Sequence, residues 1–297
     1  MTIVIAGGSG FLGRKLARRI SDEGHRALLL TRRAGLVGDV LRWEPDGSAG
    51  SLPPHLEGVD AVVNLAGEGI ADGRWTNARK ETLRSSRVLP TRTLVRAMAE
   101  CRRPPRVFVS GSAVGYYGPR GDELITESAG PGSDFLGRLA IDWEQEACLA
   151  ESPQTRVVLV RTGLVMAKDG GALAKMLLPF KLGLGATLGS GDQFMPWIHA
   201  DDWVSMVIWL IRNDRASGTF NASAPTPVTN REFTGTLGRV LRRPALLRAP
   251  GFVLQAALGE MSSILLSGQR VVPAAAAQLG FQFAHRALEP ALRSLIL

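Results

Sequence analysis

Cysteine occurs twice in this sequence, at Cys101 and Cys148, far apart and in no CxxC pair. That spacing argues against a disulfide framework or a zinc centre and fits a reducing cytosol. No stretch approaches eighteen unbroken apolar residues, so no membrane-spanning helix is expected. The N-terminal MTIVIAGGSG lacks a basic leader, and its apolar run is only strand-length, which argues against a signal peptide. The expectation is a cytoplasmic protein without a membrane partner. Acidic residues are in deficit, 27 against 35 basic ones, giving a net charge of +8. The basic residues are overwhelmingly arginine, spread as singles and pairs such as Arg18-Arg19, Arg102-Arg103 and Arg242-Arg243. No basic run carries interleaved aromatics, and no zinc-finger or RNP pattern occurs. The excess charge therefore reads as solvated helix faces, with no nucleic-acid partner expected. Internal repeats and low-complexity segments are also absent.

What is present is an alternation of short β-rich runs and longer helical patterns. The strands expected are Thr2–Ala6, Ala27–Thr31, Ala61–Leu65, Val107–Ser110 and Arg156–Val160. Helical patterns at Gly13–Glu23, Asn77–Glu100 and Phe135–Ala150 separate them. Continuous apolar strands joined by helices imply a parallel sheet covered on both faces, a doubly wound α/β Rossmann domain over residues 1–165. Residues 166–199 turn glycine-rich, and 223–297 are broken by prolines. Both are assigned to a smaller, helix-rich C-terminal lobe on the substrate side. Asp201 or Asp202 is expected to cap a helix through about Ile211, and residues 200–222 are expected to return to the first domain.

The first strand runs into Gly7-Gly8-Ser9-Gly10-Phe11-Leu12-Gly13 and then an amphipathic helix. Glycine at 7, 10 and 13 permits a tight turn, close approach of the backbone to a pyrophosphate, and close helix–strand packing. The helix start supplies N–H donors and a positive dipole end. The second strand ends in Thr31-Arg32-Arg33 with no acid between Leu28 and Gly38. An acidic residue there would hold a ribose diol, whereas arginine suits a 2′-phosphate, so NADP(H) is the expected cofactor.

A second motif, FVSGSAVGYYGP (108–119), contains Ser112 and the only two tyrosines, Tyr116 and Tyr117. Its place at a strand end fits either an active site built on a hydroxyl and a phenol or a packed strand terminus.

GGSGFLG, the strand-end NLAG (64–67) and this serine motif resemble the short-chain dehydrogenase/reductase superfamily, in its extended or atypical branch. RWTNARKETLRSSR (74–87), RTGLV (161–165), LLPFKLGLG (177–185) and FMPWIHADD (194–202) narrow the resemblance to the "epimerase family" proteins, which end in a small C-terminal domain of unknown function. The resemblance spans the chain. It implies that Leu65, Ala66 and Gly67 pass close to the cofactor, that Arg87 reaches it, and that Val165 flanks the nicotinamide. Typical superfamily members use a serine with a YxxxK helix, whose tyrosine exchanges a proton with the substrate oxygen while lysine tunes it. Ser112 matches the serine. The helix DFLGRLAIDWEQEA (134–147) has neither tyrosine nor lysine: Phe135 and Leu139, or in the neighbouring register Leu136 and Ala140, stand there. Tyr116 or Tyr117 is then either a replacement acid or a pocket-lining residue.

Further polar candidates lie at the sheet edge where such folds bind ligands. Glu68 and Asp72 follow NLAG, Lys175 and Lys181 lie in a helical stretch, and His199 lies in PWIHADD. Arg74, Trp75, Phe194 and Trp197 suit an aromatic and cationic wall for a ring or sugar, and hydrophobic packing between the lobes suits the aromatics equally well. No metal is expected. Two function classes follow: an NADP(H)-dependent oxidoreductase or epimerase on a small carbonyl or sugar-like substrate, or an NADPH-binding sensor with little activity. The chain is expected to be a monomer or homodimer.

Overall fold

The computed structural model describes residues 1–32 and 39–297. Arg33 lies outside them. Seven strands, β1 (Thr2–Ala6), β2 (Arg26–Thr31), β3 (Val40–Arg42), β4 (Ala61–Asn64), β5 (Val107–Ala113), β6 (Arg156–Thr162) and β7 (Gly218–Ala222), form one sheet. Its order is β7-β6-β5-β4-β1-β2-β3, and every pairing is parallel. Strand direction is therefore common while the order reverses between β1 and β4, leaving a crevice beyond Ala6 and Asn64.

Side chains alternate across this sheet, and both faces are buried. Ile3, Ile5, Val63, Val109, Val158 and Val160 meet α1 (Phe11–Asp22) and a later helix, Ala200–Arg212, on one face. Val4, Ala6, Val62, Phe108, Val157 and Leu159 face α2 (Asn77–Ala99) and α3 (Phe135–Cys148) on the other. Residues 200–222 thus supply both a covering helix and the edge strand β7. The sequence-based strand limits fall short at β5 and β6, which continue past Ser110 and Val160 into polar residues.

The helix Ala200–Arg212, α4, corrects one expectation. Its cap is His199, not Asp201 or Asp202: His199 Nδ1 accepts the Asp201 N–H at 3.0 Å. Asp202 is drawn away by the C-terminal segment, whose Ala284 and His285 N–H groups both donate to its carboxylate at 2.8 Å.

Helices Gly171–Lys181, Asn230–Leu241 and Leu288–Ile296 pack around Leu173, Leu177, Trp197, Phe233, Leu237 and Leu292 as a second core. A small apolar joint of Trp75, Leu83, Leu139 and Met261 connects this half to the sheet domain, with Phe135, Leu136, Leu258 and Ile264 against it.

Candidate functional site

The turn after β1 is built by steric exclusion. Gly7 has φ +77°, and a Cβ there would lie 2.5 Å from the Leu65 carbonyl oxygen. A Cβ on Gly13 would run into the Gly7 carbonyl. The Gly10 N–H closes the turn on Gly7 O at 2.9 Å. Gly10 also caps α1 without any side-chain acceptor, so the first N–H groups of the helix stay available to an anion. Phe11 and Leu12 are half-buried against the sheet core.

A groove of about 460 Å³ opens beside this turn, lined among others by Gly7, Gly10, Thr31, Arg32, Leu65 and Ala66. Thr31 is buried and Arg32 is exposed at the end of β2. Across the groove, Asn64 holds the NLAG turn: its Nδ2 donates to Thr91 Oγ1 at 2.8 Å and its Oδ1 accepts the Ala66 N–H at 3.2 Å. Gly67 leaves room for Arg87, whose guanidinium donates to the carbonyls of Leu83 and Glu68, each at 2.9 Å. Burial, with Arg79 nearby, pushes the Arg87 pKa down to about 10. A neighbouring anion would restore it. Val165 is buried one strand further along, paired with Ile198.

The serine motif sits at the same sheet edge. Register places Ser112 beside Arg161 and Arg161 beside Asn221, so three polar residues stand in a row on β5, β6 and β7. They share the face on which α3 packs, and α3 brings Glu144. Ser112 Oγ donates to Glu144 Oε1 at 2.5 Å. Arg161 Nε and Nη2 hold the same carboxylate at 2.8 and 2.7 Å. Its Nη1 donates to the Tyr117 hydroxyl at 3.0 Å, and that hydroxyl donates to Asn221 Oδ1 at 2.7 Å. The Arg161 guanidinium lies over the Tyr116 ring, with Cζ 3.3 Å from its centroid. Burial opposes the Arg161 charge, but the bonds from Glu144 outweigh it and its pKa is raised. Burial raises the Tyr117 pKa as well, against the pull of Arg161.

Both tyrosines are therefore engaged by Arg161. Tyr117 is fully buried. Glu144, Arg161 and Asn221 were missed by sequence reasoning. The available signal was a charged or amide residue ending an otherwise apolar strand, and an acid on the inner face of α3.

The remaining candidates are scattered. Glu68 pairs with Arg79 at 3.5 Å and Asp72 with Lys175 at 3.3 Å. Arg74 donates to the carbonyls of Ala256 and Ala257 at 2.7–2.9 Å, reaching into the C-terminal lobe. Trp75 stacks edge-on against Phe135, with centroids 5.1 Å apart. Phe194 lies under Arg270, while Trp197 is sealed in the second core and donates to Thr226 O. Of the two readings of Arg74, Trp75, Phe194 and Trp197, the single wall is corrected and packing holds for the tryptophans, which belong to two different apolar clusters. Phe135, Leu136 and Leu139, at the positions where resemblance would put tyrosine and lysine, are packing residues in the joint.

His199 is buried and stacks on His285 with centroids 3.7 Å apart. Burial, and then the second imidazole, lower its pKa. His199, Asp201 and His285 bring possible ligand atoms within 4.8 Å of one another. His199 Nδ1 is already committed to the Asp201 N–H, so the cluster reads as a helix cap with a stacked lid.

Glycine turn, switch-point crevice and polar strand ends define a Rossmann-type nucleotide-binding protein with an added C-terminal lobe. The chain belongs to the NAD-dependent epimerase/dehydratase family, whose profile matches residues 3–223, and a domain of unknown function, DUF1731, matches 249–295. It is 42% identical to the epimerase family protein MT2273 of Mycobacterium tuberculosis, over 98% of this chain and 96% of that protein. It is 38% identical to the epimerase family protein YfhF of Bacillus subtilis, over 100% and 98% respectively. The crystal structure of human epimerase family protein SDR39U1 with NADPH superposes with a TM-score of 0.92 at 35% identity, covering 99% of both chains.

Proposed function

We propose that this protein binds NADP(H) and acts as an atypical oxidoreductase or epimerase on a small carbonyl or sugar-like compound. The glycine turn, the uncapped start of α1 and Arg32 at the groove rim suit a pyrophosphate and a 2′-phosphate. The NADPH in the crystallised human relative supports the same choice. When bound, the dinucleotide supplies or takes a hydride.

One observation carries the catalytic half: the Ser112 proton is committed to Glu144. The serine therefore offers its lone pairs and accepts from a substrate O–H. In the direction from alcohol to carbonyl, the substrate proton passes to Ser112 Oγ while the serine proton moves to Glu144 Oε1. Reduction runs the relay backwards. Arg161 fixes the carboxylate on its far side, and Tyr116 and Tyr117 fix Arg161. Leu65, Ala66, Gly67, Arg87 and Val165 line the cofactor side in this reading, with Glu68 and His199 supporting the walls. The two unpaired cysteines suit a reducing cytosol.

The test is NADPH oxidation across a panel of carbonyls and nucleotide sugars, with Ser112→Ala alongside. Turnover that falls about 100-fold or more in the variant, at unchanged NADPH affinity, is the expected result. Turnover insensitive to Ser112 would overturn the relay. A second reading, an NADPH sensor, draws on Phe135, Leu136 and Leu139 serving the apolar joint. Tight NADPH binding with no turnover across the panel would select it.

A further inference from the structure

Seven of the ten large apolar residues that stand exposed among the described residues belong to one part of the C-terminal lobe: Leu178, Leu182, Leu184, Leu246, Leu247, Phe252 and Val253. They come from two segments lying side by side. Strand Ala186–Leu188 pairs in parallel with Leu247–Ala249, and Arg243 Nε donates to the Lys181 carbonyl at 3.1 Å. The helix Gly251–Leu258, GFVLQAAL, has no buried residue although all but one of its side chains are apolar or absent. A globular surface does not ordinarily leave so much apolar area together.

The two segments that build this face carry charge of one sign. Residues 170–191 and 242–259 contain no aspartate or glutamate; they carry Lys175, which pairs with Asp72 at 3.3 Å, and four further cations, Lys181, Arg242, Arg243 and Arg248. None of these four has a carboxylate within 4.0 Å among the described residues. Elsewhere the molecule pairs many of its arginines, as Arg84 does with Asp142 and Arg92 with Glu146. Leu246 is 89% exposed and Phe252 72% exposed, so these side chains are placed outward rather than shed from a core.

We propose that this face docks reversibly on an anionic lipid bilayer. Leucine and phenylalanine side chains enter the boundary between headgroups and acyl chains, and the unpaired cations meet lipid phosphates. Apolar area and basic charge together supply the two signals that stable peripheral attachment needs. A second copy of the chain is a poor occupant, because it would set four unpaired cations against four others. Attachment requires no spanning helix, and none of the described helices is long and apolar enough to cross a membrane.

Flotation of the full chain with vesicles tests this. Phosphatidylcholine alone is compared with phosphatidylcholine containing about a third phosphatidylglycerol. The expected result is flotation with the anionic vesicles only, weakened by high salt. Leu246→Ser combined with Phe252→Ser should abolish it. Arg243→Glu with Arg248→Glu should weaken it by at least about fivefold per charge. All four side chains are exposed, and an unchanged melting temperature verifies that each variant folds. Absence of flotation with anionic vesicles overturns the proposal, as does flotation indifferent to the apolar variant. So does a doubling of mass in light scattering that the apolar variant removes while vesicles are ignored, which would assign the face to self-association. Binding to polyglutamate but not to vesicles would assign it to an acidic protein instead.

Discussion

Arg161 is a full charge with 4% of its surface exposed, tolerated because Glu144, Tyr117 and the Tyr116 ring surround it. Removing one member of a buried pair strands the other, which costs about 3–5 kcal/mol. Arg161→Met should therefore lower unfolding free energy by roughly that much. Ser112→Ala, which removes one hydroxyl from the same carboxylate, should cost about 1–2 kcal/mol. Urea titration gives both numbers, and a smaller loss for Arg161→Met than for Ser112→Ala would show that the network is not what holds the strand ends. His199 supplies a pH prediction. Its folded pKa lies below the usual 6.5 because burial disfavours the cation. The unfolded chain then binds the extra proton first, so this contribution is complete above pH 6.5 and shrinks as pH falls below it. Thermal melting from pH 7.5 to 5 should show a smaller acid-side loss in His199→Asn, whose side chain still caps α4.

At the scale of elements, the β1–α1 turn and α3 differ in what holds them. In the turn, Gly13 cannot carry a side chain because the Gly7 carbonyl occupies the space. Gly13→Ala should thus weaken NADPH binding more than tenfold by fluorescence titration, since helix and strand must part to admit the methyl. Gly24→Ala is the contrast: its φ is +75° but nothing lies within 4 Å of the added carbon. That variant should lose about 1 kcal/mol of stability and keep its affinity. Equal affinity losses in the two would place the effect in stability rather than in the turn. Helix α3 commits Phe135, Leu136 and Leu139 to packing in the joint, yet little more than one turn further on it delivers Glu144 to Ser112. The absence of tyrosine and lysine is legible along α3 itself, whereas Glu144 gains meaning only from Arg161 across the sheet.

For the whole molecule, the two family regions do not divide the structure into independent bodies. Ala276 and Phe281, inside the region matched by DUF1731, are buried in the core of the sheet domain with Trp203 and Phe220. Asn221 Nδ2 donates to the Val272 carbonyl at 3.0 Å, and Glu127 accepts the N–H groups of Asn221 and Ala275 at 2.9 and 3.1 Å. A chain ending before residue 249 would expose this core, forfeiting about 1.5–3 kcal/mol for each large apolar side chain involved. The full chain should therefore melt in one calorimetric transition, and the truncated chain should aggregate or melt at least about 10 °C lower. Two separated transitions would contradict this coupling.

Local sequence determined the alternation of strand and helix, the glycine turn and the polar ending of β2, since those depend on backbone freedom and on periodicities only a few residues long. It also placed Ser112 and both tyrosines at a strand end. It misassigned the cap of α4, because His199 and Asp202 are apportioned by a segment about 80 residues further along the chain. It left Glu144, Arg161 and Asn221 unremarked, and it left Trp75 and Trp197 open between a shared wall and packing, where they pack in two separate clusters. Only the tertiary structure decided these points. A buried charge is tolerated where its partners converge, and that convergence is set by strand register and helix packing, which no short stretch of sequence contains.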